Sequence, residues 1–261
     1  MNCSYSVFGI HTGLIQPHDD IVGCLLTSVG RSPARCIEQG DIIVIAESVL
    51  ATVEGRIVPL NMITPSPEAQ KIAERYDLDP GYTEVVIRES DTIVGGISGF
   101  LLCMKNGILL PNAGVDASNA PLGCVVLLPA DPNGSAFTIR QAIEQRCDVK
   151  VGVIIADSCV HAMRSGCSGI ALGCSGIASA VDEAGKNDLF GRPLPHKQRA
   201  VADMIASVAE IVMGEADEEV PFAVVRGLGI PITEQTGVEG ISLQDCFFMK
   251  LMKENRVIKM Q

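Results

Sequence analysis

The run Asp41–Ile42–Ile43–Val44–Ile45–Ala46 constrains this chain more than any other segment. Its four consecutive β-branched residues leave no polar position to turn toward water. As a strand it must be covered on both faces, which is a central position in a sheet flanked by helices. Val149–Ala156, ending at Asp157, and Phe222–Val225, leading into Arg226–Gly227, read the same way. Val7–Ile10 and Val125–Leu128 are shorter apolar strand candidates, and Asn106–Gly107 marks a hairpin between the apolar arms of Phe100–Leu110.

Helices alternate with these strands. Ser66–Pro67–Glu68 sets a capping hydroxyl before a first-turn proline, for a helix ending near Arg75. Further helices are predicted over Tyr82–Glu89 and, entered through Asp131–Pro132–Asn133–Gly134, over Ser135–Arg146. The longest, from about Gln198 to Met213, carries Val201, Ile205, Val208 and Val212 on one face and stops at Gly214. A short helix with a basic end is expected from Leu243. With no repeat and no linker, any division into lobes must come from interleaved chain.

A chain of 261 residues, 47% hydrophobic, should bury about 70–75% of the surface its unfolded form exposes. Seven Phe, three Tyr and no Trp leave the core to Val, Ile, Leu, Ala and Met, and offer no stacking platform for single-stranded nucleic acid. The charge sum, 20 − 31 = −11, and the lack of any basic run also argue against a nucleic-acid partner. A small anion remains admissible where a few Arg or Lys residues, or divalent cations, reverse the field locally. No stretch reaches the ~20 apolar residues of a membrane span. The start lacks the basic end of a secretory signal, so a cytoplasmic protein that does not bind membrane is expected. The ten cysteines are scattered without a Cys-x-x-Cys pair, as expected of small buried hydrophobes and not of a disulfide framework.

Several segments could carry chemistry. Asp116 lies in Asn112–Asn119, a loop of small and polar residues that lets backbone approach a ligand; it is either a metal carboxylate or an ordinary Asx turn. Asp157 directly follows a buried strand, where open sheets place ligands, though Asp also commonly starts turns. Two carboxylates from separate segments are what Mg²⁺ or Mn²⁺ on nucleotide phosphates requires. Cys159 and His161 could be a nucleophile and its base, or join Cys167 and Cys174 in a soft metal site, but the spacings match no zinc pattern and packing is the simpler role. Glu47–Ser48 and Glu54–Gly55–Arg56 are ligand contacts or surface turns. Asn187–Arg192 offers an acid and a base around a glycine. His196–Lys197–Gln198–Arg199, at the expected helix entrance, could meet an anion or be a solvated first turn.

In chain order these segments resemble the gamma-glutamyl ligases that extend the deazaflavin coenzyme F420. The likeness runs from Gly9 to about Arg226. It rests on Pro17–His18–Asp19–Asp20, Val53–Glu54–Gly55–Arg56, Pro65–Ser66–Pro67–Glu68–Ala69, Asn112–Asn119, Val151–Asp157, Asp188–Leu189–Phe190–Gly191–Arg192, Ala202–Asp203, Val212–Met213–Gly214 and Val225–Arg226–Gly227.

The resemblance implies an α+β (mixed α/β) fold of two interleaved lobes, residues 1–65 plus 150–261 forming the main lobe and 66–149 an inserted one, in an intertwined homodimer. It further implies a GTP-dependent and Mg²⁺- or Mn²⁺-dependent ligase that activates a carboxylate of a small anionic acceptor and joins it to L-glutamate. By position, Asp116 and Asp157 would be catalytic and bind metal, with Ser158 and Glu215 as further metal ligands. Leu14, Ser48, Asn119, Arg164, Asp188, Arg192 and Lys197 would contact nucleotide or substrate.

The departures fall in the site. Thr52 stands where the family has a lysine, Glu47 replaces a neutral residue, and Ser158–Cys159–Val160–His161–Ala162–Met163–Arg164 replaces Thr-Phe-Gly-Arg-Pro-Trp-Arg. These changes lower the positive potential around a triphosphate, which Lys197 could partly restore. They leave an alternative to the ligase: a paralogue of the same fold that binds a different small anion or metal.

Overall fold

The structure is a computed structural model that describes residues 4–254. In chain order its elements are β1 (Ser6–Ile10), α1 (Ile21–Val29), β2 (Ile42–Ala46), α2 (Glu47–Val53), β3 (Ile57–Pro59), α3 (Pro67–Tyr76), α4 (Pro80–Glu89), β4 (Thr92–Ile97), β5 (Phe100–Lys105), β6 (Ile108–Pro111), β7 (Cys124–Val126), α5 (Pro132–Cys147), β8 (Gly152–Val160), β9 (Cys167–Ser175), β10 (Ala180–Asp182), β11 (Gln198–Ala200), α6 (Val201–Met213), β12 (Phe222–Arg226) and α7 (Phe247–Glu254). This is an α+β fold.

The three apolar runs become the three inner strands of a five-stranded sheet ordered β1-β12-β2-β8-β9. Only β2 and β8 run parallel; the other neighbours are antiparallel. Both faces are covered, which is why the runs need no polar alternation. Ile43, Ile45, Val153, Ile155, Phe222 and Val224 pack with Leu25 of α1 and with Ala136, Ile139 and Ile143 of α5. Ile42, Val44, Ile154, Ala223 and Val225 pack on the other face with Val201, Ile205 and Ala209 of α6.

A second core joins Val85 and Val86 of α4 to Leu101 and Cys103 of the antiparallel sheet β4-β5-β6 and to Val115, Val125 and Leu127. The helix α5, although it falls within residues 66–149, packs on the main sheet. Leu110, Leu128, Cys159 and Leu172 form a small apolar seam.

Glu54–Gly55–Arg56 is neither a bare surface turn nor an open ligand contact. Glu54 accepts the Ser135 hydroxyl at 2.8 Å and the Ala130 amide at 3.0 Å, steadying the entry to α5. Arg56 donates to the Leu128 carbonyl at 3.0 Å and to Glu89 at 3.0 Å, and Lys105 pairs with the same Glu89 carboxylate.

Sequence patterning missed several boundaries: β8 begins at Gly152, not Val149, and runs past Asp157 to Val160, and β7 ends at Val126, not Leu128. The long helix begins at Val201, not Gln198, because Gln198–Ala200 pairs with Ala180–Asp182 as a strand. His196–Arg199 therefore does not form a helix entrance, and Arg199 is committed to Glu183 at 2.7 Å. Seven elements were not anticipated: α1, α2, β3, β4, β9, β10 and β11. The expected tail helix begins at Phe247, and Arg256 and Lys259 of its basic end lie outside the described residues. Among the described residues, no helix is long and apolar enough to cross a membrane.

Candidate metal and nucleotide site

The parallel pairing of β2 with β8 places Ala46 beside Ala156, so Glu47 and Asp157 start from adjacent positions; Asp157 does not follow a finished strand, as expected, but stays within β8, paired with Ile170 of β9. Glu47 opens α2, and Asp157 follows a register shift between Ile155 and Ala156. Packing brings α6 to the same end. It runs antiparallel to β9, with Asp203 accepting the Ala171 amide at 2.9 Å and Ser207 donating to the Gly169 carbonyl at 2.8 Å. The last turn of α6, with Glu210, and Glu215 beyond it therefore approach Asp157.

Asp116 arrives from the second core. Its N–H donates to the Val126 carbonyl at 3.0 Å, and the Val126 N–H returns a bond at 2.7 Å. Its Oδ1 accepts the Ser118 amide at 2.8 Å. The Asx turn is therefore real, and it leaves the second carboxylate oxygen for another partner. Asn119 donates to the Ala216 carbonyl at 3.3 Å, fastening this loop to the one carrying Glu215.

Burial and mutual repulsion dominate the electrostatics. Partial burial raises the Glu47 carboxyl well above its ordinary range, and the charges of Asp157 and Asp116 add to this. Asp157 is pushed up to about 7, first by burial and then by Asp116 and Glu215. Glu210 is pushed up to about 8 by burial, then by Glu215, with Asp157 contributing. Glu47, Asp116, Asp157, Glu210 and Glu215 take part in none of the ion pairs formed among the described residues.

An all-oxygen, uncompensated acidic set fits a hard divalent cation. No three His, Cys, Asp or Glu side chains among the described residues are gathered tightly enough to hold a metal alone. The donor set therefore suits an ion that takes its remaining ligands from water or from a bound phosphate, as Mg²⁺ does.

Ser158 is half-buried opposite Gly169, and Ser48 is half-buried one residue after Glu47. The Thr52 hydroxyl donates to the Ser48 carbonyl at 2.8 Å within α2. Arg164 is exposed in the turn after β8, and Leu14 is exposed after β1.

Asp188, Arg192 and Lys197 lie on the exposed excursion between β10 and β11, which leaves from the Ser175 end of β9. Arg192 pairs with Asp188 at 2.9 Å. No hydrogen bond or ion pair among the described residues joins these three to the acidic cluster. Cys159 is buried in the seam, its thiol pushed up to about 11 by burial and then Asp157. His161 lies 2.7 Å from the Ser168 hydroxyl, so the proposed thiol–imidazole pair is not assembled. Cys174 is likewise buried, its thiol raised to about 12.

Glu210 and Tyr82 escaped the sequence reading. Glu210 sits among the apolar positions of α6, and its only signal is a carboxylate five residues before Glu215. Tyr82 on α4 donates its hydroxyl to the Val115 carbonyl at 2.7 Å.

A family model described as F420-0:Gamma-glutamyl ligase matches residues 9–227. The chain belongs to the F420-0:gamma-glutamyl ligase family. The coenzyme F420:L-glutamate ligase of Methanopyrus kandleri is 40% identical over 215 residues, 82% of this chain and 83% of that relative. The enzyme of the same name from Methanocaldococcus jannaschii is 42% identical over 202 residues, covering 77% and 81%. That from Methanothermobacter thermautotrophicus is 38% identical over 215 residues, covering 82% and 85%. The span matched to the F420-0:gamma-glutamyl ligases contains all five clustered acids and ends before the C-terminal segment that packs Leu228, Ile230, Ile232 and Val238 against the main core.

Proposed function

We propose that this protein is a GTP- and divalent-metal-dependent ligase that joins the amine of L-glutamate to a carboxylate of a small anionic acceptor. The observation that carries this reading is the convergence of Glu47, Asp116, Asp157, Glu210 and Glu215 at one end of the sheet without a basic partner. Family membership supports the bond type, because the relatives named above are glutamate ligases.

The reaction balances as two displacements. An acceptor carboxylate oxygen attacks the γ-phosphorus of GTP, the bond to the β-phosphate oxygen breaks, and GDP leaves. The glutamate amine then attacks the acyl carbon, the carbon–oxygen bond breaks, and inorganic phosphate and a proton leave. Bound Mg²⁺ or Mn²⁺ would neutralise charge on the phosphate oxygens. Asp116 and Asp157 would hold that cation, with Ser158 and Glu215 as further ligands and Asn119 tying the Asp116 loop to the Glu215 loop. The protein contributes positioning and charge placement and forms no covalent bond. A cytoplasmic homodimer, with Asp188, Arg192 and Lys197 contributing to a nucleotide site at the subunit junction, belongs to the same proposal.

Release of GDP that requires acceptor, L-glutamate and divalent metal together is the expected result. Thr52 and Glu47 favour a second reading, a paralogue that binds an anion or metal without turnover. Nucleotide binding with no GDP release under any acceptor would select it.

A further inference from the structure

The loop that carries Asp116 is strained at its start. Asn112 and Ala113 both adopt left-handed backbone, with φ of 49° and 55°. Such consecutive non-glycine residues persist only where the surroundings over-determine them. The side-chain oxygen of Asn112 accepts the Leu101 amide at 2.8 Å, and its carbonyl accepts the Val115 amide at 3.0 Å. Gly114 packs so closely on Leu128 that an added Cβ would lie 2.6 Å from that side chain.

The peptide unit joining Val115 to Asp116 is held at both ends. Its N–H donates to the Val126 carbonyl at 3.0 Å, and its carbonyl accepts the Tyr82 hydroxyl at 2.7 Å. Val126 belongs to β7, whereas Tyr82 lies in the first turn of α4, where its own amide donates to the Asp79 cap at 2.8 Å. Two separate elements therefore fix the plane from which the Asp116 side chain departs.

We propose that Tyr82 is a positioning residue for the ligase reaction, its hydroxyl setting the orientation of Asp116 from a helix that contributes no carboxylate to the cluster. The proposal rests on the reading of Asp116 as a metal carboxylate. Outer groups that orient metal-binding residues typically matter by about 10–100-fold in metal affinity.

Tyr82→Phe removes the hydroxyl and keeps the ring, and Val86→Ala, in the same helix and core, serves as the comparison. In the full-length protein without metal, Tyr82→Phe should speed amide hydrogen exchange across residues 113–119 about tenfold relative to the parent. Mn²⁺ titrated in the presence of GTP, without acceptor or glutamate, should bind about tenfold more weakly to Tyr82→Phe. Val86→Ala should lower the unfolding temperature and leave Mn²⁺ affinity unchanged. Unchanged exchange in Tyr82→Phe overturns the clamp, and unchanged Mn²⁺ affinity, or equal weakening in Val86→Ala, overturns the positioning role. If the parent binds no Mn²⁺ while exchange still rises in Tyr82→Phe, the metal reading has failed and the positioning role fails with it, though the clamp stands.

Discussion

The side-chain amide of Asn119 donates to the carbonyl of Ala216 across 3.3 Å, and so links two loops 97 residues apart in the chain. One loop carries Asp116 and the other Glu215. The β2–β8 pairing and the packing of α6 on β9 place the other members of the acidic cluster, and this bond adds a direct tie between the Asp116 and Glu215 loops.

Asn119→Gly tests that link. Asn119 has φ of 53°, which glycine adopts without strain, so the change removes the side chain and its bond to Ala216 without straining the backbone. Stability should change by no more than about 1 kcal/mol. Mn²⁺ affinity in the presence of GTP, measured by calorimetric titration, should fall about tenfold. Unaltered affinity would show that the two loops are placed independently.

Glu84 links stability to pH. The Ser66 hydroxyl first, then the Ser66 amide, which donates to the carboxylate at 2.9 Å at the entry to α3, and then Arg88 at 2.8 Å hold its pKa at about 2 against an ordinary value of 4.5. A depressed carboxyl stabilises the fold above its unfolded pKa and loses that contribution as pH falls through the folded one. Glu84→Gln should therefore cost about 1–2 kcal/mol in urea unfolding at pH 7. The gap to the parent should close as pH falls from about 4.5 toward 2. A gap independent of pH would mean the charged form is not what matters.

Gly173 lies where β9 meets the start of α5. A Cβ there would sit 2.3 Å from the Pro132 carbonyl oxygen, which is backbone and cannot swing aside. Gly173→Ala should cost about 3 kcal/mol or more in thermal unfolding. Gly95→Ala, where a Cβ meets nothing within 4 Å, should stay within about 0.5 kcal/mol of the parent. Equal tolerance of the two would contradict the close approach of α5 to β9.

A buried thiol raised to about 11 is ionised to only about one part in ten thousand at pH 7. Cys159 should resist iodoacetamide in the folded protein while exposed Cys36 reacts, as peptide mass mapping would show. Rapid labelling of Cys159, with activity lost in step, would restore the nucleophile reading.

What could be read from residue order follows from packing. The strands β2, β8 and β12 were legible because Ile42–Ile45 and their neighbours are covered on both faces and carry no polar position. The strand β9 was not, since α6 and α5 approach its backbone so closely that Gly169 and Gly173 must lack side chains. A Cβ at Gly169 would lie 2.5 Å from the Ala206 carbonyl carbon, so small residues replaced the apolar pattern expected of a strand. Ala46 gives α2 no side-chain cap, so its start carried no signal. Asp20 does cap α1, accepting the Gly23 amide at 3.0 Å, but it closes a polar stretch that reads as a turn. In the site, Asp116 was legible from its loop, whereas Asp157 was singled out as the residue after a strand that in fact continues through it to Val160. Glu210 was hidden in an apolar helix, and the role of Tyr82 depends on a contact 33 residues away.

On the proposed function, the acidic cluster holds a divalent cation together with a nucleotide. Thermal unfolding of the full-length protein is followed with GTP, with Mn²⁺, and with both. Ligand at 100 times its Kd adds about 2.7 kcal/mol. The two together should raise the unfolding temperature by about 5–10 °C beyond either alone. Asp157→Asn should abolish that joint increment. No joint increment in the parent, or the same increment in Asp157→Asn, would mean that the cluster does not hold a cation with nucleotide.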